Sequence, residues 1–127
     1  MTVYLSLVDV LAVAEEILDR PAEVRDLGLL DSAVHRPQAS MFDADAYPDV
    51  PTKAAAVLES LARNHPLIDG NERLAWAATP VVLLENGLSL LDVDQIVAYD
   101  FMIEVAEGKL ELAEMAAWLA ENVTPLD

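Results

Sequence analysis

The sequence predicts one all-α domain, and three observations support that prediction. Ala, Leu and Glu are abundant while Gly occurs only 4 times in 127 residues, a balance that favours helices over sheets. Apolar residues recur at helical spacing along most of the chain. The length is that of one ordinary domain, and no internal repeat or linker divides it, so residues 1–127 are predicted to form a single domain.

Six segments have the apolar spacing of a helix and end at a proline, a glycine or a polar loop. By residue number they are 5–18, 29–35, 52–64, 71–85, 92–106 and 110–123. The stretch 37–51 contains three prolines, which predicts a loop, and 88–91 predicts a brief extended piece. The predicted architecture is a compact bundle of six helices.

The fourth predicted helix, residues 71–85, is apolar on every side, which predicts burial at the domain centre. It ends at Asn86 and Gly87, a common C-terminal stop for a helix. Pro80 lies inside it, and an interior proline removes a backbone hydrogen bond at a cost of about 3 kcal/mol. A kink or a break is therefore expected over residues 77–80.

The charge balance excludes some classes of partner. Seven Lys and Arg against 23 Asp and Glu give a formal net charge of −16, so the surface should repel nucleic acid and favour a basic partner. No apolar run reaches the ~18 residues of a membrane span, and the first residues lack the basic region of a signal peptide. The absence of cysteine suits the reducing cytoplasm.

The loop between the third and fourth helices groups side chains that can bind a nucleotide. The backbone N–H groups where the helix starts, near Asn71, offer an anion site, and Gly70 would let the backbone approach a phosphate closely. Asn71 and Arg73 can donate hydrogen bonds to phosphate oxygens, and Arg73 can do so bidentately. Asp69 can hold Mg²⁺ together with substrate phosphates. His65 can take a proton from an acceptor hydroxyl, because an imidazole titrates near neutral pH.

Each of these residues also has an ordinary structural interpretation. A histidine at a helix end is often a cap, an Asp-Gly-Asn sequence is a common turn, and Arg73 alone can be a solvated charge. Their occurrence within nine residues, between two apolar helices and in a chain with few cations, favours an anion site over these alternatives.

The residues from His65 to Arg73, HPLIDGNER, resemble the Fic/Doc motif H-x-F-x-[D/N]-[A/G]-N-[K/G]-R. The likeness extends upstream and downstream in family order, so that it covers essentially the whole chain. The segments that carry it are 25–33, 36–38, 47–48, 53–55, 60–64 and 86–87.

This resemblance implies the Fic/Doc fold, in which a central buried helix follows the motif loop, and a place in a toxin–antitoxin pair. The Doc branch transfers the γ-phosphate of ATP to elongation factor Tu and so blocks translation, whereas the Fic branch transfers AMP to a hydroxyl. By match to the motif, His65, Asp69 and Arg73 would be catalytic, and Asp69 would hold Mg²⁺. Residues 70–73 would bind the nucleotide. A Phd-like antitoxin would cover the toxin's groove, as a helix in a groove.

Two positions depart from the motif. Leu67 replaces the aromatic residue and is expected to act as a smaller core anchor. Glu72 stands where Doc proteins carry Lys and many Fic proteins carry Gly, which places an anion beside the proposed phosphate site. The first hypothesis is that Glu72 attenuates or abolishes activity, up to an inactive scaffold that only binds its antitoxin. The alternative is that Glu72 points outward and pairs with Arg63 or Arg73.

Four further residue types are interpreted more simply. Trp76 and Trp118 lie on apolar faces and are predicted to anchor the core. His35 is predicted to cap or border the short second helix. Arg36 and Lys53 are candidates for substrate contacts, although solvated positions are the favoured prediction for both.

Overall fold

Short polar side chains set the helix starts in this protein, which a computed structural model describes for residues 1–126. Ser6, Asp26, Asp49 and Asp94 each accept a hydrogen bond from a backbone N–H in the first turn of the helix that follows. The described helices are α1 (Leu7–Leu18), α2 (Leu27–His35), α3 (Val50–Asn64), α4 (Asn71–Glu85), α5 (Gln95–Ala106) and α6 (Leu112–Asn122). The predicted all-α class and the six helices are thereby confirmed.

These caps also explain where the predicted boundaries were wrong. The first helix begins two residues later than predicted, after Ser6, and the fifth begins three residues later, after Asp94. The third begins two residues earlier, because Asp49 caps it and Pro51 is tolerated in a first turn. An apolar stripe shows where a helix packs, whereas the capping side chain decides where its backbone starts.

The segment predicted as a plain loop, 37–51, is more ordered than expected. A 3-10 turn (Arg36–Gln38) continues α2, and β1 (Ser40–Met41) pairs antiparallel with β2 (Ala44–Asp45). A second antiparallel pair joins β3 (Leu88–Ser89) to β4 (Thr124–Pro125), which confirms an extended piece at the start of 88–91.

Helices α3 and α4 form the centre of the fold. Helix α3 packs mainly against α4 and α6, and α1 packs against α4. Alanines supply much of the buried surface of α3, so that its backbone can approach its neighbours closely. The predicted burial of the helix after the motif loop is confirmed, but α3, which precedes that loop, is at least as buried.

The two tryptophans anchor the other side of this core, as predicted. The Trp118 ring stacks on Phe101 at a centroid distance of 3.9 Å and meets Trp76 edge to face at 6.3 Å. Both tryptophans are partly buried against the core cluster. Within residues 1–126, no helix combines the length and apolar character that crossing a membrane requires.

Lys53 is buried and Arg36 is partly buried, so the favoured prediction that both are solvated was wrong. Lys53 is 1% exposed, and its Nζ lies 3.2 Å from the Pro37 carbonyl and 3.3 Å from Asp45 Oδ2. Burial lowers the pKa of Lys53, but the hydrogen bonding and charge of Tyr4 and Asp45 outweigh burial and leave that pKa raised. Lys53 therefore fastens the β1–β2 hairpin to α3.

Arg36 is enclosed in a similar way. Its guanidinium donates to the Tyr47 hydroxyl at 3.0 Å, to Glu59 Oε1 at 2.8 Å and to Ser60 Oγ at 3.0 Å. These bonds join the end of α2 to α3, so Arg36 stabilises the packing of two helices instead of reaching a substrate. His35 ends α2 as predicted, with its Nδ1 2.8 Å from the Asp31 carbonyl oxygen.

Helix α4 runs through Pro80 without interruption, so the break expected over residues 77–80 is absent; a bend of the helix axis stays a prediction. The adjacent Ala78 and Thr79 are fully buried, and Thr79 Oγ1 donates to the Ala75 carbonyl at 2.7 Å. Core packing thus holds the helix together although proline cannot donate to the Trp76 carbonyl.

Replacing Pro80 by alanine is expected to raise the thermal midpoint, because alanine restores the missing N–H donor inside α4. A gain of about 1–3 kcal/mol corresponds to a rise of roughly 3–10 °C for a domain of this size. Differential scanning calorimetry measures it. Pro48→Ala, outside any helix, is the matched control and should leave the midpoint unchanged or lower it. An unchanged midpoint in Pro80→Ala would contradict a strained helix.

Candidate active site

The motif loop is bounded by two residues in left-handed backbone conformation. His65 ends α3 with φ 51° and ψ 59°, and Gly70 precedes α4 with φ 86°. A positive φ is uncommon for a residue with a side chain. The chain therefore turns sharply at both ends of the loop, and the residues between them lie at the junction of the two central helices.

A second segment of the chain, residues 23–26, holds this loop in place through the backbone. The N–H of Ile68 donates to the Glu23 carbonyl at 2.9 Å, and the N–H groups of Arg25 and Asp26 donate to the Pro66 carbonyl at 2.8 and 3.0 Å. Leu67, between them, is 1% exposed. The prediction that Leu67 anchors the loop in the core is confirmed.

Arg25 supports His65 from the same segment. Its Nε donates to the His65 carbonyl at 2.7 Å and its Nη2 donates to the Asn64 carbonyl at 2.8 Å. A cation at the C-terminus of a helix also complements the helix dipole. Arg25 thus fixes the backbone that carries the imidazole, a role that the sequence analysis did not assign to it.

Asn71 has a positioning role in addition to any contact with a ligand. Its side chain is buried, its Oδ1 accepts from the Leu67 N–H at 2.8 Å, and its Nδ2 donates to the Leu67 carbonyl at 3.0 Å. These bonds occupy the amide oxygen and one of the two amide N–H groups. One N–H of Asn71 is left for the phosphate contact that was predicted.

Gly70 is required by its contact with α1 as well as by its backbone conformation. A Cβ at this position would lie 2.6 Å from Leu18 Cδ2, far inside van der Waals contact. From the sequence, Gly70 was predicted to allow the close approach of a phosphate. The structure adds a packing reason, because the end of α1 lies directly against the motif loop.

All six predicted site residues line one cavity of about 340 Å³ at the start of α4. The cavity-lining residues are His65, Ile68, Asp69, Gly70, Asn71, Glu72 and Arg73. The structure thus brings an imidazole, two carboxylates, a guanidinium and a helix N-terminus to one place. Such an arrangement can bind an anion and move a proton beside it.

Asp69 is the carboxylate best placed to hold a metal ion. Its side chain is 72% exposed, and its Oδ2 lies 3.5 Å from Arg20 Nη2 and 4.0 Å from Arg73 Nη2. Within residues 1–126, no cluster of three or more acidic, histidine or cysteine side chains could hold a metal by itself. A single exposed carboxylate fits Mg²⁺, which often takes one or two protein ligands and completes its shell with phosphate oxygens and water.

Arg20 belongs to this site, although the sequence did not predict it. It lies 49 positions before Asp69, outside the motif, and the fold brings the two side chains together. The sequence signal that could have identified Arg20 is the scarcity of cations, since the chain has only 7 Lys and Arg.

Glu72 is exposed in the first turn of α4, where an acidic side chain complements the helix dipole but also competes with a bound anion. The predicted pairing with Arg63 or Arg73 was wrong. Arg63 lies 2.9 Å from Glu59 and donates to the Leu110 carbonyl, and Arg73 lies within ion-pair distance of Asp69. In the part of the chain that the structure describes, Glu72 forms no ion pair.

A second cavity, of about 530 Å³, adjoins the first because Glu72 and Arg73 line both. We call it the apolar groove. It runs between α4 and α5, and the side chains that make it apolar include Trp76, Leu90, Leu91, Tyr99 and Met102. Two of these side chains, Leu91 and Tyr99, are mostly exposed.

Comparison with known proteins shows the family of the chain. The model of the Fic/DOC family matches residues 4–83, which include α1 to α3, the motif loop and most of α4. The chain belongs to the Fic/DOC family. It is also 50% identical over 123 residues to Toxin Doc of Mycolicibacterium smegmatis, an alignment that covers 94% of this chain and 93% of that protein. The matched residues include the loop that lines the cavity described above.

Proposed function

We propose that this protein is a Doc-type toxin of a toxin–antitoxin module that transfers the γ-phosphate of Mg-bound ATP to a hydroxyl of a protein. The observation that carries the proposal is the convergence of all six predicted residues on one cavity at the N-terminus of α4. Similarity to Toxin Doc along nearly the whole chain supports the toxin assignment.

The start of α4 is suited to a phosphate group. Its first helical hydrogen bond runs from the Leu74 N–H to the Gly70 carbonyl at 2.9 Å, so the N–H groups of residues 71–73 have no acceptor within the helix. Gly70 offers no side-chain cap that would compete for them. A phosphate placed there would accept from these N–H groups, from Arg73 and from the second amide N–H of Asn71.

Asp69 would hold Mg²⁺ on the exposed side of the same cavity. Bound there, the metal would neutralise phosphate charge and orient the transferred group. His65, on the cavity wall, would accept the proton of the attacking hydroxyl as that oxygen bonds to the γ-phosphorus. The bond from the γ-phosphorus to the β–γ bridging oxygen would break in the same step, and ADP would leave. The hydrogen bonds from Arg25 fix the backbone of His65, and the imidazole itself stays exposed to an incoming protein.

The partners follow from the same proposal. By family resemblance the target is elongation factor Tu, and the neutralising partner is a Phd-like antitoxin. The protein would act in the cytoplasm, where ATP and this target occur. A net charge of −16 favours partners that present basic surfaces.

Transfer of label to purified elongation factor Tu tests the proposal. The protein is incubated with Mg²⁺ and with γ-labelled or α-labelled ATP in parallel. Label from the γ position alone is the expected result. Label from the α position would instead establish AMP transfer, the alternative activity within the family. Absence of label from both forms of ATP would favour a catalytically inactive scaffold that binds only its antitoxin. The observation that motivates this alternative is the anionic Glu72 beside the proposed phosphate site.

Replacing Glu72 by lysine is expected to increase transfer about 30-fold. The exchange moves the local charge by two units, and each unit at ~4 Å from a phosphate charge contributes about 1 kcal/mol in water. Initial rates of γ-label transfer measure the effect. Glu85→Lys, the same exchange at the far end of α4, is the matched control and should change the rate little, because about 20 Å separates the two ends. Equal rates in wild type and Glu72→Lys would show that Glu72 does not attenuate the site.

A further inference from the structure

Arg20 lies outside the family motif, yet its guanidinium reaches the motif loop. It follows Asp19, which ends α1 in a left-handed conformation with φ 53°. Arg20 Nη2 lies 3.5 Å from Asp69 Oδ2, and the Arg20 side chain is 43% exposed. A chain with 7 cations among 127 residues thus places one of them beside the carboxylate that would hold the metal.

Both cations near Asp69 lie on the same carboxylate oxygen. Arg73 Nη2 is 4.0 Å from Oδ2, the oxygen that Arg20 also faces. For both cations, Oδ2 is the atom of Asp69 that makes the ion pair. A carboxylate paired with a cation at one oxygen can offer the second oxygen to a metal ion, and such a partner favours one orientation of the ligand.

The backbone on both sides of Arg20 is attached to the motif loop. On one side Leu18 packs so closely against Gly70 that a Cβ would not fit between them. On the other side the Glu23 carbonyl accepts from the Ile68 N–H at 2.9 Å. These two contacts fix the segment 18–23 against the loop, so the position of Arg20 relative to Asp69 is set by the fold.

We propose that Arg20 is a positioning residue that holds Asp69 Oδ2 and thereby presents Oδ1 to the metal ion; this inference rests on the proposed function. Arg20 also offsets the negative charge that Asp69 and Glu72 bring to the cavity. Arg20 Nη2 lies 3.5 Å from Oδ2, whereas Arg73 Nη2 lies 4.0 Å from it, so Arg20 makes the closer contact. Arg73 is accordingly free to face a phosphate.

The test measures Mn²⁺ binding, as a substitute for Mg²⁺, by electron paramagnetic resonance in the presence of a non-hydrolysable ATP analogue. Arg20→Gln is expected to weaken Mn²⁺ binding by about 2- to 5-fold, the range for the loss of one solvent-exposed ion pair. Arg20→Lys, which keeps the charge, should recover part of it. Lys109→Gln removes a cation at the α5–α6 turn that also pairs with a carboxylate at 3.5 Å, and it should change nothing. The Arg20 effect should vanish in an Asp69→Asn background.

Unchanged or tighter Mn²⁺ binding by Arg20→Gln would overturn the inference and leave the proposed function standing, because Arg20 would then only compete with the metal for Asp69. The inference would also be overturned if Arg20→Gln weakened Mn²⁺ binding equally in an Asp69→Asn protein. Arg20 would then act on the metal independently of Asp69. Absence of Mn²⁺ binding by the wild-type protein would overturn the inference together with the proposed function. Thermal midpoints, recorded for every variant, identify any that fail to fold.

Discussion

Replacing His65 by asparagine is expected to lower phosphate transfer by about 10²- to 10⁴-fold, the range that a general base contributes. Asparagine suits the position because it tolerates the left-handed backbone that His65 adopts, with φ 51°. The carbonyl of residue 65 would still accept from Arg25, so the loop should keep its shape. The variant thus removes the imidazole and little else.

Initial rates of γ-label transfer, measured alongside ATP binding, check this expectation. The loss should appear in kcat, with nucleotide affinity nearly unchanged, because the imidazole acts on the acceptor hydroxyl and not on the phosphate. The chain has only one other histidine, and His35→Asn at the exposed end of α2 is the matched control. A rate within threefold of wild type in His65→Asn would remove His65 from the proposed chemistry.

The elements around the site were predictable because their signals are local. The apolar spacing of residues 52–64 and 71–85, separated by a polar and glycine-containing loop, already defined α3, the motif loop and α4. The motif residues are contiguous, so their convergence on one cavity follows from the loop that carries them. The β1–β2 hairpin was missed because each strand has two residues, too few for an alternating pattern.

The support of the site could not be predicted in the same way, because it depends on contacts between distant segments. Arg25 reaches the end of α3 from 39 and 40 positions away, and Arg20 reaches Asp69 across 49. The dual role of Asn71 likewise depends on the loop closing over its amide. Sequence patterns show which side chains are chemically able to act, whereas tertiary packing decides which of them hold the others in place.

Burial of cations was also outside what the sequence shows. Charged side chains are rarely buried, so solvated positions were the reasonable expectation for Arg36 and Lys53. The carbonyl of Pro37, the carboxylates of Asp45 and Glu59 and the hydroxyl of Tyr47 compensate those two charges. None of these partners can be assigned without the fold, because they come from the 3-10 turn, from β2, from the loop after β2 and from α3.

The second large effect is expected for Gly70→Ala, which tests the contact between α1 and the motif loop. Alanine in a left-handed conformation costs about 1–2 kcal/mol, and forcing its Cβ against Leu18 Cδ2 adds roughly 1–3 kcal/mol. The free energy of unfolding should therefore fall by about 2–5 kcal/mol, a large share of the ~5–15 kcal/mol of an ordinary domain. Phosphate transfer should fall as well, because the start of α4 would shift.

Denaturant unfolding separates the two contributions. Gly87 has nearly the same φ, 85° against 86°, but a Cβ there would meet no atom within 4 Å, so Gly87→Ala isolates the conformational cost. The additional loss in Gly70→Ala is the packing cost, and it should disappear when Leu18→Ala is combined with it. Equal losses in the free energy of unfolding for Gly70→Ala and Gly87→Ala would mean that Leu18 of α1 does not hinder a side chain at residue 70. The placement of Arg20 relative to Asp69 would then lose one of its two supports, since Leu18 forms the contact on that side.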